Sequence, residues 1–225
     1  TLFRSPIITL DGPSGSGKGT ISKLIAKHLG WHLLDSGALY RVVALAAEHH
    51  RINLANDVAV ADIAAHLDVQ FNTIGEAVQM MLEGEDVSLV IRSERCGMNA
   101  SKVASHTLVR KALQSRQRAF AELPGLVADG RDMGTVIFPA AHLKIFLTAS
   151  SEERANRRYK QLKNKGVDAS LPNILAGIRK RDTHDLSRSV APLRPAQDAI
   201  FLDCTTMTIS EVFEQLRFLL KEQGL

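Results

Sequence analysis

Apolar and polar residues alternate along the chain in blocks, and the spacing within each block predicts its structure. Five short apolar runs have the length of buried strands, and we interpret them as strands of a doubly wound sheet: residues 7–10, 32–34, 126–128, 143–147 and 199–202. Segments with helical spacing lie between them: 18–29, a helix opening at 35–37, 58–65, a helix that Ser101 precedes and that runs to about 120, 152–165 and 178–190. A last helix, which Ser210 caps, runs to 220. This alternation indicates the α/β class.

The segment between the second and third strands has apolar residues at every second position. Three runs show this alternation, around residues 67–71, 78–82 and 87–91, and Gly75 and Gly84 stand where turns are needed. The pattern predicts a three-stranded antiparallel meander. Because parallel strands are joined by crossover helices and not by a meander, we expect an inserted subdomain here.

The first strand runs directly into a glycine-rich loop, residues 12–20, that ends with a lysine and a hydroxyl. The glycines allow a tight path in which N–H groups point at an anion, and the N-terminus of the next helix favours the same charge. Lys18 fits the lysine of phosphate-binding P-loops, but Gly19 stands where that pattern has Ser or Thr, so Thr20 is the candidate for magnesium or phosphate. The alternative is a glycine-rich turn with a surface lysine.

Composition and charge limit the partners. The 225-residue chain has a net charge of +4, which would suit nucleic acid, but aromatic residues make up only 5% and none is interleaved with a basic stretch for base stacking. Phosphorylated small molecules explain the charge equally well. Cys96 and Cys204 match no zinc spacing, and we see no signal-peptide pattern and no membrane-spanning run. We therefore expect a soluble, reduced cytoplasmic protein without nucleic-acid or membrane partners.

Polar residues follow the predicted strands, where ligands bind in doubly wound sheets. Ser36 and Arg41 come after the second strand; the alternative is a helix N-cap and a solvated helix face. The loop 129–134, Asp-Gly-Arg-Asp-Met-Gly, follows the third strand, and its composition is more typical of a functional loop than of packing. Within it, Asp129 stands where a magnesium-orienting acid would serve a phosphate loop.

Two helices carry further candidate residues. The strongly basic segment 152–165 is either a solvated face with i,i+4 ion pairs or a mobile lid whose arginines close over a triphosphate. On the following helix, Arg181, Asp185 and Arg188 are separated by four and three residues, so all three are expected to point from one face. A plain ladder of salt bridges would have the same spacing.

Five stretches, in this order, resemble the bacterial cytidylate kinases of the nucleoside monophosphate kinase group: DGPSGSGKGT (11–20), LDSGALYR (34–41), ADGRDMG (128–134), RDTHDLSR (181–188) and APLRPA (191–196). The first alone indicates only a kinase or NTPase, but the other four are far more specific. The resemblance implies a P-loop three-layer fold with a five-stranded parallel sheet, an inserted monophosphate-binding subdomain with a small antiparallel sheet, and a short helical lid. We expect a single P-loop kinase domain over 1–225, with a core of 1–38, 105–151 and 167–225, the insert at 39–104 and the lid at 152–166.

The resemblance also implies roles for individual residues. The ATP site would contain Gly12, Pro13, Ser14, Gly15, Ser16, Gly17, Lys18, Gly19, Thr20, Arg157 and Arg158, with Arg154 as a further candidate contact of the γ-phosphate. The CMP site would contain Ser36, Arg41, Ser101, Arg110, Arg131, Asp132, Arg181, Asp185 and Arg188. Arg41 and Arg131, helped by Arg188, would hold the acceptor phosphate, because arginine forks bind two oxygens at once. Ser101 and Asp132 would meet the cytosine amino group, where uracil has a carbonyl.

The implied reaction is phosphoryl transfer from ATP to CMP, and to dCMP, in pyrimidine nucleotide metabolism. Lys18, Arg41, Arg131 and Arg188 would act by alignment and charge neutralisation, without a general base, because the acceptor oxygen is already anionic. Mg²⁺ would bridge the outer phosphates near Thr20 or Asp129, directly or through water. We expect a monomer. The alternatives are a P-loop kinase for another small acceptor, and a nucleotide-gated switch or nucleic-acid-binding module.

Overall fold

The computed structural model of the chain describes residues 5–74, 77–164 and 166–225, and these form two units: the described residues up to Asp35 together with Arg118–Leu225, and Ser36–Gln117. In chain order the strands are β1 (Ile7–Asp11), β2 (His32–Asp35), β3 (Val69–Ile74), β4 (Ala77–Leu82), β5 (Glu85–Asp86), β6 (Leu126–Gly130), β7 (Leu143–Thr148) and β8 (Ile200–Asp203). The helices are α1 (Lys18–Leu29), α2 (Ser36–His49), α3 (Asp57–Ala65), α4 (Glu94–Val103), α5 (Thr107–Ala119), α6 (Ser151–Lys163), α7 (Leu171–Ser187) and α8 (Ile209–Glu222). None of the helices in these ranges is long and apolar enough to cross a membrane.

A five-stranded parallel sheet of order β2-β6-β1-β7-β8 organises the first unit. All five residues of β1 are buried, and since successive side chains of a strand point to opposite faces, both faces of the sheet are covered. Ile8 and Leu10 of β1 belong to one apolar cluster with Ile25 of α1 and Leu216 of α8. The predicted three-layer α/β fold is confirmed, and each predicted parallel strand matches the structure to within two residues at either end.

The loop between β1 and α1 has a backbone path that requires glycine at its first position. Gly12 has a φ of +146°, and a Cβ atom built on it would lie 2.0 Å from the carbonyl oxygen of Leu147. The loop ends at Gly17, which directly precedes the first residue of α1. The N-terminus of α1 therefore lies at the carboxyl end of the sheet, where Asp35 and Asp129 are register partners.

The second unit contains an antiparallel sheet of order β3-β4-β5, which confirms the predicted meander. The extent of its third strand was predicted wrongly, because β5 has two residues and most of the predicted strand 87–91 lies in a turn and a short 3₁₀ helix. The carboxylate of Asp86 accepts the N–H of Ser88, a local turn that ends the strand, and Leu89 is 85% exposed. The turn predicted at Gly75 lies outside the described residues.

The prediction of one helix that Ser101 precedes and that runs to about 120 is wrong. The structure has two helices there, and Ser101 lies in the last turn of α4 instead of preceding a helix. Val103 of α4 and Leu113 of α5 are both buried in the same apolar cluster. Because the apolar spacing continues across the break between α4 and α5, the sequence pattern does not indicate that the helix ends there.

The ends of α7 and α8 also differ from the prediction. Arg188 lies one residue beyond α7, with extended backbone, so it does not share a helix face with the other two predicted site residues of that segment. The cap of α8 is Thr208 and not Ser210. The Thr208 hydroxyl accepts the N–H of Glu211, and the Glu211 carboxylate accepts the N–H of Thr208.

Candidate active site

Lys18 is the first residue of α1, at the end of the glycine-rich path, and its side chain is almost fully buried. Its Nζ atom donates a hydrogen bond to the carbonyl oxygen of Pro13 at 2.9 Å and lies 4.0 Å from Oδ1 of Asp129. Burial and, after it, the charge of Arg131 lower the pKa of Lys18, while burial raises the pKa of Asp129. A buried ammonium in such surroundings gains stability when a bound anion supplies negative charge.

A cavity of about 920 Å³ opens beside the phosphate loop. Its lining includes residues 15–20 from the loop and α1, Arg157 and Arg158 from α6, and Cys204 and Met207 from the segment after β8. This volume lies within the range of ligand-binding pockets in proteins. Because the walls carry two arginines next to Lys18 and a helix N-terminus, the cavity is suited to a polyanionic ligand.

The two cavity arginines have different surroundings. Nη1 of Arg157 donates to the carbonyl oxygen of Ser16 at 3.2 Å, and Nη2 donates to the carbonyl oxygen of Cys204 at 2.7 Å. Arg158 donates to Gln161 within α6. Arg157 thus joins the phosphate loop to the end of β8 and forms a fixed part of the cavity wall.

Asp11, the last residue of β1, is a candidate functional residue that was not among the predicted site residues. Its two carboxylate oxygens accept the backbone N–H groups of Met133 and Gly134 at 2.9 and 2.8 Å. Burial raises the pKa of Asp11 to about 7, against the opposing effect of these two hydrogen bonds. Asp11 therefore ties the start of the phosphate loop to the predicted functional loop after β6. Asp11 is the first residue of the motif 11–20, and this position was the sequence signal that could have identified it.

Five of the nine predicted acceptor residues lie in the first unit, and four of these five form what we call the arginine cluster: Arg131, Arg181, Arg188 and Asp185. Nε of Arg131 donates to Oδ2 of Asp185 at 3.0 Å, and the Asp185 side chain is only 4% exposed. Burial would raise the pKa of Asp185, but the charges of the three arginines outweigh it and lower that pKa. Asp132, next to Arg131, is also buried. The structure thus brings the three arginines together around the carboxylate of Asp185.

The remaining four of the nine predicted acceptor residues lie in the second unit: Ser36, Arg41, Ser101 and Arg110. Ser36 is the first residue of α2, and its hydroxyl donates to Oε1 of the fully buried Gln117 at 2.8 Å. Arg41 donates to the carbonyl oxygens of Ile91 and Ser93. The guanidinium of Arg110 lies over the ring of Tyr40, 5.6 Å from its centroid. Gln117, which orients Ser36, carries no sequence signal that would have identified it.

The residues predicted for magnesium border the first turn of α1. Thr20 is exposed and lines the cavity, and Asp129 lies near the end of β6. A Cβ atom on Gly19 would be 3.3 Å from Oδ2 of Asp129, so that carboxylate faces the backbone between Lys18 and Thr20. In the described part of the chain, no group of three or more His, Cys, Asp or Glu side chains could hold a metal ion. Thr20 and Asp129 do offer the oxygen ligands that Mg²⁺ prefers.

A glycine loop that leads into a buried lysine at the carboxyl end of β1, set on a parallel sheet beside a cavity of this size, defines the class of P-loop kinases and NTPases. The family model described as cytidylate kinase matches residues 8–222, and the chain belongs to the cytidylate kinase family. The resemblance found in the sequence is confirmed. The protein is therefore an enzyme, a nucleoside monophosphate kinase.

Curated relatives match over nearly the whole chain. The cytidylate kinase of Shewanella loihica is 58% identical over 221 residues, covering 98% of this chain and 96% of that protein. The cytidylate kinase of Photobacterium profundum is 60% identical, with coverages of 94% and 92%. That of Aeromonas salmonicida is 59% identical, with coverages of 92% and 90%. Identity at this level favours the kinase over the alternatives that the sequence left open.

Proposed function

We propose that this protein transfers the γ-phosphoryl group of ATP to CMP, giving ADP and CDP, and that dCMP is a second acceptor. The observation that carries the proposal is the family match over residues 8–222, which spans both the phosphate loop and the arginine cluster. The products supply pyrimidine nucleotide metabolism. The protein works in the cytoplasm, as a monomer.

The donor site is assigned to the phosphate loop, residues 12–20, with Arg157 and Arg158. Phosphate oxygens would accept N–H groups of the loop and of the α1 N-terminus, and would replace the Pro13 carbonyl as the partner of Lys18. Both arginines already line the cavity beside the loop. ATP would therefore bind next to positive charges that are already in place, without a large rearrangement of the cavity wall.

The acceptor phosphate is assigned to Arg41, Arg131 and Arg188. Arginine suits this role because its planar fork binds two phosphate oxygens and keeps its charge at every physiological pH. The hydrogen bond from Nε to Asp185 fixes the orientation of the Arg131 guanidinium. We assign the sugar to Asp185.

The base is assigned to Ser101 and Asp132, which would accept hydrogen bonds from the cytosine amino group, with Arg110 and Arg181 at the same end and Ser36 as a further contact. Asp132 is 2% exposed, so a carbonyl placed against it has no water to relieve the repulsion between acceptors. Uracil has such a carbonyl, and the site should therefore prefer CMP to UMP.

Magnesium is assigned to Thr20 and Asp129, directly or through water, and phosphate oxygens would complete its ligands. When bound, the ion neutralises charge on the donor phosphates. The protein's own contribution is alignment and charge neutralisation by Lys18 and the arginines. No general base is needed, since the attacking phosphate oxygen is ionised at neutral pH.

The test is an ADP-release assay with ATP and magnesium across CMP, dCMP, UMP, AMP and no acceptor. We expect rapid turnover with CMP and dCMP and slow turnover with the others. Turnover only with another acceptor would contradict the proposal, as would hydrolysis without acceptor that nucleic acid stimulates. Analytical ultracentrifugation tests the monomer, and cell fractionation tests the cytoplasmic location.

A further inference from the structure

Arg154 of α6 differs from the two cavity arginines because its guanidinium is buried and bonded to three other segments of the first unit. Nε donates to the carbonyl oxygen of Ala149 at 2.9 Å, and Nη1 donates to the carbonyl oxygen of Ser14 at 3.0 Å. Nη1 and Nη2 donate to the two carboxylate oxygens of Asp182 at 3.0 and 2.6 Å. These bonds occupy four of the five N–H groups of a guanidinium. Arg154 is therefore better placed to fix the protein than to bind phosphate.

The phosphate loop is held at Ser14 from two helices. Arg154 of α6 binds the Ser14 carbonyl, and Arg181 of α7 donates from Nη1 to the Ser14 hydroxyl at 3.4 Å. Asp182, the next residue of α7, holds Arg154 itself. The loop also packs on α6, because a Cβ atom on Gly15 would lie 3.3 Å from the Cβ of Arg154. A displacement of α7 would thus reach the Ser14 backbone through Asp182 and Arg154.

A second ion pair joins the same two helices in a different environment. Arg179 of α7 donates to Glu152 of α6 at 2.6 Å, and their side chains are 62% and 57% exposed. The side chains of Arg154 and Asp182 are 5% and 19% exposed. Exposed ion pairs contribute little to stability, whereas the loss of one partner from a buried pair leaves the other charge uncompensated. We call Arg154 and Asp182 the inner pair, and Arg179 and Glu152 the outer pair. Because both pairs join α6 to α7 and only the inner pair is buried, the outer pair is a matched control.

We propose that Arg154 and Asp182 are positioning residues that couple α7 to the phosphate loop, so that ATP binding at the loop and CMP binding at α7 strengthen each other. The inference rests on the proposed function in one respect, the assignment of Arg181 and Asp185 on α7 to CMP. The planar fork of arginine is essential to this role, because it holds the Ser14 carbonyl and the Asp182 carboxylate in one fixed geometry. A lysine has the charge but not the fork.

The test compares Arg154→Lys and Asp182→Asn with the control variants Glu152→Gln and Arg179→Gln. Calorimetric titration measures the Kd of a non-hydrolysable ATP analogue with and without saturating CMP, and steady-state assays give both KM values and kcat. In the wild type, CMP should tighten binding of the analogue. The inner-pair variants should weaken that binding about tenfold and lose most of the gain from CMP, whereas the controls keep both. The double variant Arg154→Lys/Asp182→Asn should be no worse than either single variant, because both changes break one connection.

Thermal unfolding distinguishes positioning from a purely structural role. The inner-pair variants should have lower unfolding midpoints than the controls, because their remaining charge is buried without its partner. Weaker analogue binding and a smaller CMP effect, measured well below those midpoints where every variant is fully folded, support the proposal. Wild-type analogue affinity and wild-type CMP effect in both inner-pair variants would overturn it, as would equal losses in all four single variants. If the wild-type protein binds the analogue but phosphorylates no CMP, the proposed function fails. The analogue titration without CMP then still tests whether Arg154 and Asp182 position the phosphate loop.

Discussion

The phosphate loop and the arginine cluster collect positive charge in opposite ways. In the loop, backbone N–H groups, the α1 N-terminus and Lys18 follow one another within residues 12–20, and the chain path alone places them. In the arginine cluster, side chains from residue 131 and from residues 181–188 meet around the carboxylate of Asp185. A local backbone site can bind any phosphate chain, whereas a site assembled from distant side chains can be shaped to one acceptor. We therefore expect the loop to supply most of the catalysis, and the acceptor residues, which include the cluster and the neighbouring Asp132, to supply most of the selectivity.

The largest expected effect is the loss of the loop lysine. Lys18→Ala should lower kcat about a thousandfold, because the charge that meets the donor phosphates is removed. The fold should persist, since Lys18 makes one hydrogen bond within the loop and a long ion pair. Steady-state assays with circular dichroism check both points. Activity near the wild-type level would refute the role of the loop.

The backbone path of the phosphate loop can be strained by a substitution that leaves its charge unchanged. Gly12→Ala should lower the free energy of unfolding by about 3 kcal/mol, because its Cβ would meet the Leu147 carbonyl at a φ that only glycine adopts easily. Gly177→Ala in α7 is the control: apart from its chain neighbours and the backbone of its own helix, no atom lies within 4 Å of the added carbon, and alanine should stabilise the helix by about 0.5 kcal/mol. Urea unfolding measures both. Equal stability of the two variants would show that the loop path is not strained.

A substitution at Asp132 should change the preference among acceptor nucleotides and leave ATP binding unchanged. Asp132→Asn should reduce the preference for CMP over UMP about tenfold, because an amide can donate to the uracil carbonyl that a carboxylate repels. The KM for ATP should stay at the wild-type value. The ratio of kcat/KM for the two acceptors is the measurement, with Glu152→Gln as the matched loss of an exposed carboxylate. An unchanged ratio would remove Asp132 from base recognition.

The smallest expected effect is the pH dependence of the cluster. The arginines lower the pKa of Asp185 below its ordinary value of 3.8, so the ionised carboxylate stabilises the folded state above that pH. This contribution is lost as the pH falls through the lower folded pKa. The wild type should be more stable than Asp185→Asn at pH 7, and the difference should begin to shrink as the pH falls below 3.8, because the unfolded chain then takes up a proton at this carboxyl before the folded protein does. Urea unfolding of both proteins from pH 7 to pH 3 tests this, and a constant difference would contradict it.

Local signals in the sequence were sufficient for the phosphate loop and the five parallel strands. The Gly-Lys-Gly-Thr run and the buried apolar runs each lie within a few consecutive residues, so their structure depends little on the rest of the chain. The helix over 101–120 and the strand over 87–91 were predicted wrongly, because apolar spacing continues where a turn interrupts the element. The N-cap of α8 was also predicted wrongly: Thr208 and Ser210 both have a hydroxyl that can cap a helix, and the sequence does not show which of the two precedes the first turn.

The sequence by itself determined the fold class, the phosphate loop and, through its five motifs, the family. Only the tertiary structure decided which distant side chains meet. It joined Asp11 to the loop after β6, Gln117 to Ser36, and Ser14 to Arg154 and Asp182. The residues of each set lie up to 168 positions apart, and nothing in their local spacing records the contact. Sheet register and helix packing bring them together, and these depend on the whole folded chain.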